Sequence, residues 1–236
     1  MTIWYCAGLD LGQQQDYTAL SIVEVAPSSV PVTVATRDRE LGLPMDQAAV
    51  LEGPPAQHRL RHLERFPLGT SYPQMVRDVQ ARLARVPGQW LLAIDYTGVG
   101  RAVGDIFTEA GVPYIGVTLT GGQQPHWDGA HCTCPKRDLV FALLVALQQQ
   151  RFAAAQQLQL APVLTKELAS FRLKFSQAGH DSYEAWRESD HDDCVLSVAT
   201  AVWVAEQFLA QQYAQAVADL EAAAFNDTTR VSISPF

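Results

Sequence analysis

The pattern of apolar and polar positions predicts three strands at the start of the chain. Residues 5–11 form an apolar run with one internal aspartate, 18–26 are apolar and β-branched, and 30–41 give a third, partly solvated strand. Short turns join the three, so we expect them to pair in antiparallel fashion. Residues 42–69 are rich in Pro, His and Arg, show little periodicity, and are interpreted as a long connection.

The next part of the chain alternates predicted helices and strands. Apolar residues recur at helical spacing over 71–86, and a continuous apolar run at 90–94 predicts a buried strand that ends at Asp95. Residues 102–110 then predict a helix and 112–119 a strand, which implies a parallel crossover. Further helices are predicted at 135–150, 161–175 and 192–220, a short strand at 182–186, and a loop at 120–133.

These elements predict an α/β fold. We expect a mixed five-stranded sheet in the order 3-2-1-4-5 with helices on both faces. No linker divides the pattern, so residues 1–224 are predicted to form one domain, followed by a polar tail at 225–236.

Composition agrees with a soluble, core-forming protein. Of the 236 residues, 48% are hydrophobic and 18% are charged, which argues against wholesale disorder. No apolar stretch approaches the roughly 20 residues of a membrane span, and no secretory signal is visible. We therefore expect no membrane partner and a cytoplasmic location. The net charge of -8 predicts weak affinity for DNA by itself, although a site built of carboxylates contributes to that charge.

The four cysteines do not form the pattern of a disulfide framework. They stand at positions 6, 132, 134 and 194. Residues 126–134 contain two histidines and two cysteines, whose spacing differs from the paired CxxC arrangement of zinc sites. The sequence therefore leaves open whether this segment binds zinc or is a flexible loop near an active site.

Aspartates stand where three predicted elements would otherwise be apolar. Asp10 lies inside the first strand, Asp95 ends a buried strand before a glycine-rich turn, and Asp192 and Asp193 begin the last helix. An unpaired carboxylate is costly to bury, and Mg²⁺ or Mn²⁺ recruits carboxylates from several elements. Two such ions can activate water and stabilise a leaving oxygen at a phosphodiester.

Each acid also has a structural interpretation. Asp10 and Asp95 suit turns, and Asp192 or Asp193 suits the start of a helix, where a carboxylate caps the backbone. Taken singly, turns and caps are the more common role. Three acids at once, in a fold order that brings them together, favour a metal site.

Three segments of the chain resemble the acidic motifs of one nuclease family. GLDLGQQQDYTAL, AIDYTGVG and HDDCVLSVATAV are similar to the motifs of the nuclease domain of large terminase subunits, RNase H-like enzymes that cut viral DNA during packaging. KRDLVFALLVALQQQRF and LTKELASFRLKF are similar to helical segments of the same domains. The resemblance extends from about Gly8 to Ala205, and DYTGVG with HDD in this order is fairly specific.

The resemblance implies a Mg²⁺- or Mn²⁺-dependent endonuclease that binds two ions and cuts double-stranded DNA. Asp10, Asp95 and Asp193 would be metal ligands, Asp192 an additional or alternative ligand, and His191 a proton-handling neighbour. Asp16 is interpreted as a turn residue. The remaining assignments are a turn near the phosphate (Thr97, Gly98, Gly100) and weak DNA contacts (Lys136, Arg137, Lys166, Lys174).

The chain departs from full-length large terminases because it has no GxxxxGK[ST] phosphate-binding loop. The resemblance therefore implies that a packaging ATPase domain, a small terminase and a portal are supplied separately. Two alternatives stay open. A Holliday-junction resolvase or transposase-like nuclease shares the arrangement of acids, and an actin-like or sugar-kinase-like phosphotransferase shares the first motif.

Overall fold

A computed structural model describes residues 3–12, 16–37, 44–121, 124–177 and 192–229. The chain folds into two compact units. The larger unit comprises Ile3–Val25 and Gln57–Ala205, and the smaller unit comprises Met1–Thr2, Ala26–Ala56 and Glu206–Phe236. All four aspartates of the predicted site belong to the larger unit.

Within the described residues the chain forms eight strands and five helices. The strands are β1 (Trp4–Asp10), β2 (Ala19–Arg37), β3 (Pro44–Arg65), β4 (Trp90–Asp95), β5 (Ile115–Thr120), β6 (His126–Asp128), β7 (His131–Pro135) and β8 (Phe152–Ala154). The helices are α1 (Tyr72–Leu83), α2 (Gly100–Glu109), α3 (Lys136–Gln148), α4 (Ala161–Gln177) and α5 (Asp193–Thr229).

The strands form one mixed sheet in the order β6-β7-β5-β4-β1-β2-β3-β8. Strand β1 pairs antiparallel with β2 and parallel with β4, and β5 pairs parallel with both β4 and β7. The predicted α/β class is therefore confirmed. The predicted five-stranded sheet is not confirmed, because the sheet has eight strands and the predicted third strand belongs to another element.

The predicted strands and connections differ from the structure in the region of β2 and β3. Most of the third predicted strand, 30–41, lies in β2, which runs from Ala19 to Arg37 without interruption. The predicted long connection, 42–69, instead contains β3. Proline lacks an N–H donor and commonly marks a strand boundary, so the prolines in both segments obscured two long strands.

Three other predicted segments also need correction or fall outside the described residues. The predicted loop at 120–133 contains the antiparallel pair β6 and β7, whose turn has Gly129 at a φ of +57°. The predicted tail begins inside α5, which continues to Thr229. The predicted strand at 182–186 lies outside the described residues.

One face of the sheet packs against α1 and α2. Along β1, Tyr5, Ala7 and Leu9 point to this face, because successive strand residues alternate between faces. They join a buried cluster with the apolar sides of both helices, including Val79 and Phe107. The apolar residues of β1 therefore face α1 and α2, and strand alternation places Asp10 on the opposite face of the sheet.

The opposite face of β1 lies directly against α5. The Ser197 hydroxyl donates a hydrogen bond of 3.2 Å to the Gly8 carbonyl. A Cβ atom at Gly8 would lie 2.0 Å from the Ser197 carbonyl oxygen and 3.0 Å from the Ala201 nitrogen. Glycine is therefore required at position 8 for the backbones of strand and helix to approach this closely. Helices cover both faces of the sheet, as predicted.

Helix α5 is long and apolar enough to cross a membrane, which the sequence patterns did not indicate. Over Asp193–Ala224 it has 32 residues, and its most apolar window has a mean hydropathy of 1.3. However, 78% of that window is buried inside the protein. This burial is typical of the central helix of a globular protein, and the close contact with Gly8 gives it a packing role.

The smaller unit combines residues 26–37 of β2, 44–56 of β3 and 206–229 of α5. Within it, Gly53 lies against the ring of Tyr213, and a Cβ atom at Gly53 would be 2.5 Å from Cδ2 of that ring. A second short contact is the hydrogen bond from the Ser28 hydroxyl to the Pro55 carbonyl. Much of this part of α5 is exposed.

The contact at Gly8 leads to a stability prediction. Gly8→Ala would force strand and helix apart, and overpacking of this kind costs about 1–3 kcal/mol. We expect the free energy of unfolding, measured with urea, to fall by that amount. Equal stability of Gly8→Ala and the wild type would contradict the packing described here.

Candidate metal-binding and active site

The ends of β1 and β4 bring Asp10 and Asp95 side by side. The two strands are parallel, with Tyr5 opposite Trp90 and Leu9 opposite Ile94. Asp10 and Asp95 are the next residues in this register, and adjacent strands lie about 4.8 Å apart. Register partners point to the same face, which for Asp10 is the face of Gly8 and α5. Both aspartates are half-buried.

The start of α5 brings two more acids to the same edge of the sheet. The Ser197 hydroxyl contacts the Gly8 carbonyl. Asp193 lies one helical turn before Ser197, and Asp10 lies two residues after Gly8. Both acids are therefore displaced from this contact toward the same edge of the sheet. Burial, followed by the negative charges of Asp95, Asp192 and Asp193, raises the pKa of Asp10 well above its ordinary value. The four carboxylates predicted from three separate motifs therefore interact electrostatically at one site.

The turn after β4 holds Asp95 in a defined orientation. The Thr97 N–H donates to Oδ1 of Asp95 at 2.8 Å, and the Thr97 hydroxyl accepts from the Leu119 N–H at 3.0 Å. Gly98 has a φ of +59°, and a Cβ atom at Gly100 would lie 2.1 Å from the Asp95 carbonyl oxygen. The predicted turn is thus present. Burial raises the pKa of Asp95, while the hydrogen bonds from Thr97 and the charge of Lys136 oppose that rise.

Lys136 faces the acids. It is the first residue of α3, directly after β7, and its Nζ lies 3.0 Å from Oδ2 of Asp192. Its side chain is only 18% exposed. Its positive charge opposes the rise in the pKa of Asp10 and Asp95 that burial causes. A lysine predicted as a weak DNA contact therefore supplies positive charge to the carboxylate cluster itself.

Asp193 has a different environment from Asp192. It is buried, and Arg65 donates to both of its oxygens, from Nε at 2.6 Å and from a terminal nitrogen at 3.0 Å. The same terminal nitrogen donates to Glu167 at 2.6 Å, and the guanidinium lies 5.0 Å from the ring centroid of Tyr17. Arg65 thereby links the end of β3 with α4 and the start of α5.

Glu167 completes this network from α4. Its second oxygen accepts the Val195 N–H at 2.9 Å, so the side chain caps the first turn of α5. Burial raises the pKa of Glu167 to about 7, with a further contribution from the charge of Asp193, although Val195 and Arg65 act in the opposite direction. The sequence motifs did not identify Arg65 or Glu167 as site residues. The only signals were the basic run at the end of β3 and the acid in LTKEL.

Two sets of side chains at this edge carry donor atoms of the kinds that bind cations. Among the described residues, oxygen and sulfur donors of Glu167, Asp193 and Cys194 lie within 4.8 Å of one another. Burial raises the pKa of the Cys194 thiol, and Arg65 already occupies both oxygens of Asp193. The other set, Asp10, Asp95 and Asp192, offers carboxylate oxygens alone and already attracts the ammonium of Lys136. Hard divalent cations prefer such oxygen ligands.

The remaining predicted residues lie at other places. Lys166 is exposed on α4, and Arg137 forms an ion pair of 3.4 Å with Asp138. Asp16 is exposed. His191 lies outside the described residues, as does the side chain of Lys174.

The histidines and cysteines at 126–134 do not gather into a metal site in the described part of the chain. Cys132 and Cys134 are buried on β7, whereas His126 and His131 are exposed. His131 instead packs against the ring of Tyr96, with centroids 4.7 Å apart, and Trp127 stacks on Trp203. Strand alternation explains this separation, because it places His131 and Cys132 on opposite faces.

The network around Arg65 leads to a prediction about stability. Arg65→Met would leave the buried Asp193 and Glu167 without their shared cation, and breaking a buried pair in this way costs about 3–5 kcal/mol. Urea unfolding of the metal-free protein measures the loss. Arg77→Met is the control, because Arg77 donates to Gln74 on the exposed side of α1 and should change stability by less than about 1 kcal/mol. Similar values for the two variants would mean that the network does not stabilise the fold.

The raised pKa of Glu167 leads to a prediction about pH. The folded protein retains this proton at pH values where the unfolded chain has lost it, so the contribution to stability is present below 4.5 and is lost as the pH rises to about 7. Glu167→Gln should flatten this decline in urea unfolding of the metal-free protein. Glu64→Gln is the contrast, because pairing with His62 and Arg82 outweighs burial and lowers the pKa of Glu64. The stability from that shift is present above 4.5 and is lost as the pH falls, so this variant should leave the decline toward pH 7 in place. If Glu167→Gln showed the same decline in stability as the wild type, the decline would have to come from other ionisable groups.

Comparison with known proteins gives a likeness in structure and none in sequence. No protein-family model matches the chain, and no curated protein matches it in sequence. Among solved structures, the crystal structure of the large terminase nuclease from thermophilic phage G20c with bound zinc is similar to it, with a TM-score of 0.46 and 20% sequence identity. The likeness covers 84% of this chain and 80% of the phage protein.

Proposed function

We propose that the chain is a metal-dependent endonuclease of the RNase H-like class, which hydrolyses phosphodiester bonds of double-stranded DNA with two Mg²⁺ or Mn²⁺ ions. The observation that supports this most directly is the juxtaposition of Asp10 and Asp95 by the parallel register of β1 and β4. The electrostatic interactions of Asp10 with Asp192 and Lys136, and of Asp95 with Lys136, add to it. The resemblance of all three motifs to large-terminase nuclease motifs supports the same function.

In this proposal Asp10, Asp95 and Asp192 bind the metal. Asp10 and Asp95 are fixed by strand register and by the Thr97 turn, and Asp192 is half-exposed at the start of α5. When bound, the ions lower the pKa of an attacking water and neutralise charge on the phosphate. Asp193, predicted from sequence as a ligand, acts through its two bonds to Arg65 and fixes the position of Asp192. His191 stays a predicted proton-handling residue.

Contact with DNA in this proposal depends on phosphates rather than bases. The turn of Thr97, Gly98 and Gly100 would let the phosphate backbone approach Asp95. Arg137, Lys166 and Lys174 would contact neighbouring phosphates, and such contacts do not distinguish sequences. With a net charge of -8, the chain would need further positive surface for tight binding. A packaging ATPase, a small terminase and a portal are the partners proposed to supply it in the cytoplasm of a host cell.

Cleavage of plasmid DNA tests the proposed function. Supercoiled plasmid should be nicked and linearised with Mn²⁺ or Mg²⁺ and stay intact with EDTA. Asp10→Asn and Asp95→Asn should each reduce the rate at least about 100-fold, because each removes a metal ligand. The metal-free stability of Asp10→Asn should be unchanged or higher, because the substitution relieves charge repulsion.

Asp105→Asn is the matched control, because Asp105 is exposed on α2. Its rate and stability should equal those of the wild type. Asp10→Asn and Asp95→Asn proteins that unfolded early and still cut DNA would assign both acids a structural role and refute the proposal. Preferential cutting of four-way junctions would favour a resolvase, and DNA-independent transfer of phosphate from ATP would favour a phosphotransferase.

A further inference from the structure

The location of the Lys136 side chain is unusual for this protein. The chain has only three lysines, Lys136, Lys166 and Lys174. Lys166 is exposed on α4, whereas the side chain of Lys136 is 18% exposed and contacts Asp192. Lysine is seldom buried unless it is paired, because removing an ammonium from water costs free energy. The acid cluster therefore provides the charge that makes this position favourable.

The ammonium of Lys136 acts on the carboxylates that are proposed to bind metal. It lies 3.0 Å from Asp192, and its charge acts on both Asp10 and Asp95. Metal–oxygen distances for Mg²⁺ are about 2.1 Å, so an ion bound by these carboxylates would lie within a few ångströms of the ammonium. Two cations that close repel strongly in a partly buried site.

We propose that Lys136 is an internal counterion, which holds Asp10, Asp95 and Asp192 together in the metal-free protein and competes with divalent metal for them. This inference rests on the proposed function. Binding of metal displaces the ammonium from the carboxylates toward solvent. Competition makes metal binding by the free protein weak, and phosphates of bound DNA would both add negative charge to the site and receive the displaced ammonium.

The first test is a Mn²⁺ titration of the full chain, followed by electron paramagnetic resonance of the free ion. Lys136→Met should bind Mn²⁺ about tenfold more tightly than the wild type, because one competing charge is removed. Lys136→Arg keeps the charge and should stay close to the wild type. Lys166→Met is the matched control and should not change the affinity. In the absence of metal, Lys136→Met should melt at a lower temperature, because the acids then repel one another.

The second test uses the wild type alone and does not depend on the folding of a variant. Reductive methylation, quantified by mass spectrometry for each lysine, should modify Lys136 faster with Mn²⁺ than without it. Lys166 should react at the same rate in both conditions. Because there are only three lysines, each site can be measured separately.

The possible outcomes separate this inference from the function on which it rests. Absence of Mn²⁺ binding by both the wild type and Lys136→Met refutes the proposed metal site. A wild type that binds Mn²⁺, with Lys136→Met binding equally or more weakly, overturns the counterion role and leaves the metal site in place. Methylation of Lys136 that is unchanged or slower with Mn²⁺ overturns the displacement.

Discussion

The concentration of carboxylates at one edge of the sheet is the constraint on which the rest of the site depends. Asp10 and Asp95 end adjacent parallel strands, Asp192 and Asp193 stand at the start of the helix that packs against β1, and Glu167 approaches from α4. Burial raises the pKa of Asp10, Asp95 and Glu167, and the charges of neighbouring carboxylates raise it further at Asp10 and Glu167. Such a cluster is compatible with a stable fold only where positive charge is supplied close by, and in this chain Arg65 and Lys136 supply it.

The two cations have different effects because their geometries differ. The planar guanidinium of Arg65 makes two bonds to Asp193 and one to Glu167, and it packs beside Tyr17. A group with this many directed contacts fixes the elements it joins. The ammonium of Lys136 is a compact charge on a flexible chain, and it contacts Asp192. Arg65 is therefore suited to hold the fold, and Lys136 to be replaced by another cation.

The sheet and α5 provide the precision that this arrangement needs. Gly8 allows the helix backbone to approach the strand, and the contact at Ser197 sets where the first turn of α5 lies relative to Asp10. A larger residue at position 8 would move the helix and the two acids at its start together. The geometry of the site is thus determined by backbone packing several ångströms away from the carboxylates, at a residue with no chemistry of its own.

The sequence by itself determined the α/β class, helices α1 to α5, and the four aspartates that meet at the site. These features have local causes: helical periodicity, apolar runs, and acids at positions where burial makes them costly. Local pattern failed where proline interrupts β2 and β3, and where the short strands β6 and β7 occur in a segment rich in glycine and histidine. Strand pairing supplies the stability there, and pairing partners are distant in sequence.

Only the tertiary structure decided which acid contacts which basic residue. Asp192 and Asp193 are neighbours in sequence and chemically identical, so no pattern distinguishes them. Helical geometry directs one toward Lys136 and the other toward Arg65, which lies 128 residues earlier in the chain. The same holds for Glu167 and Lys136, which resemble ordinary helix-surface residues in sequence. Their roles follow from long-range charge interactions, which depend on distances that exist only in the folded chain.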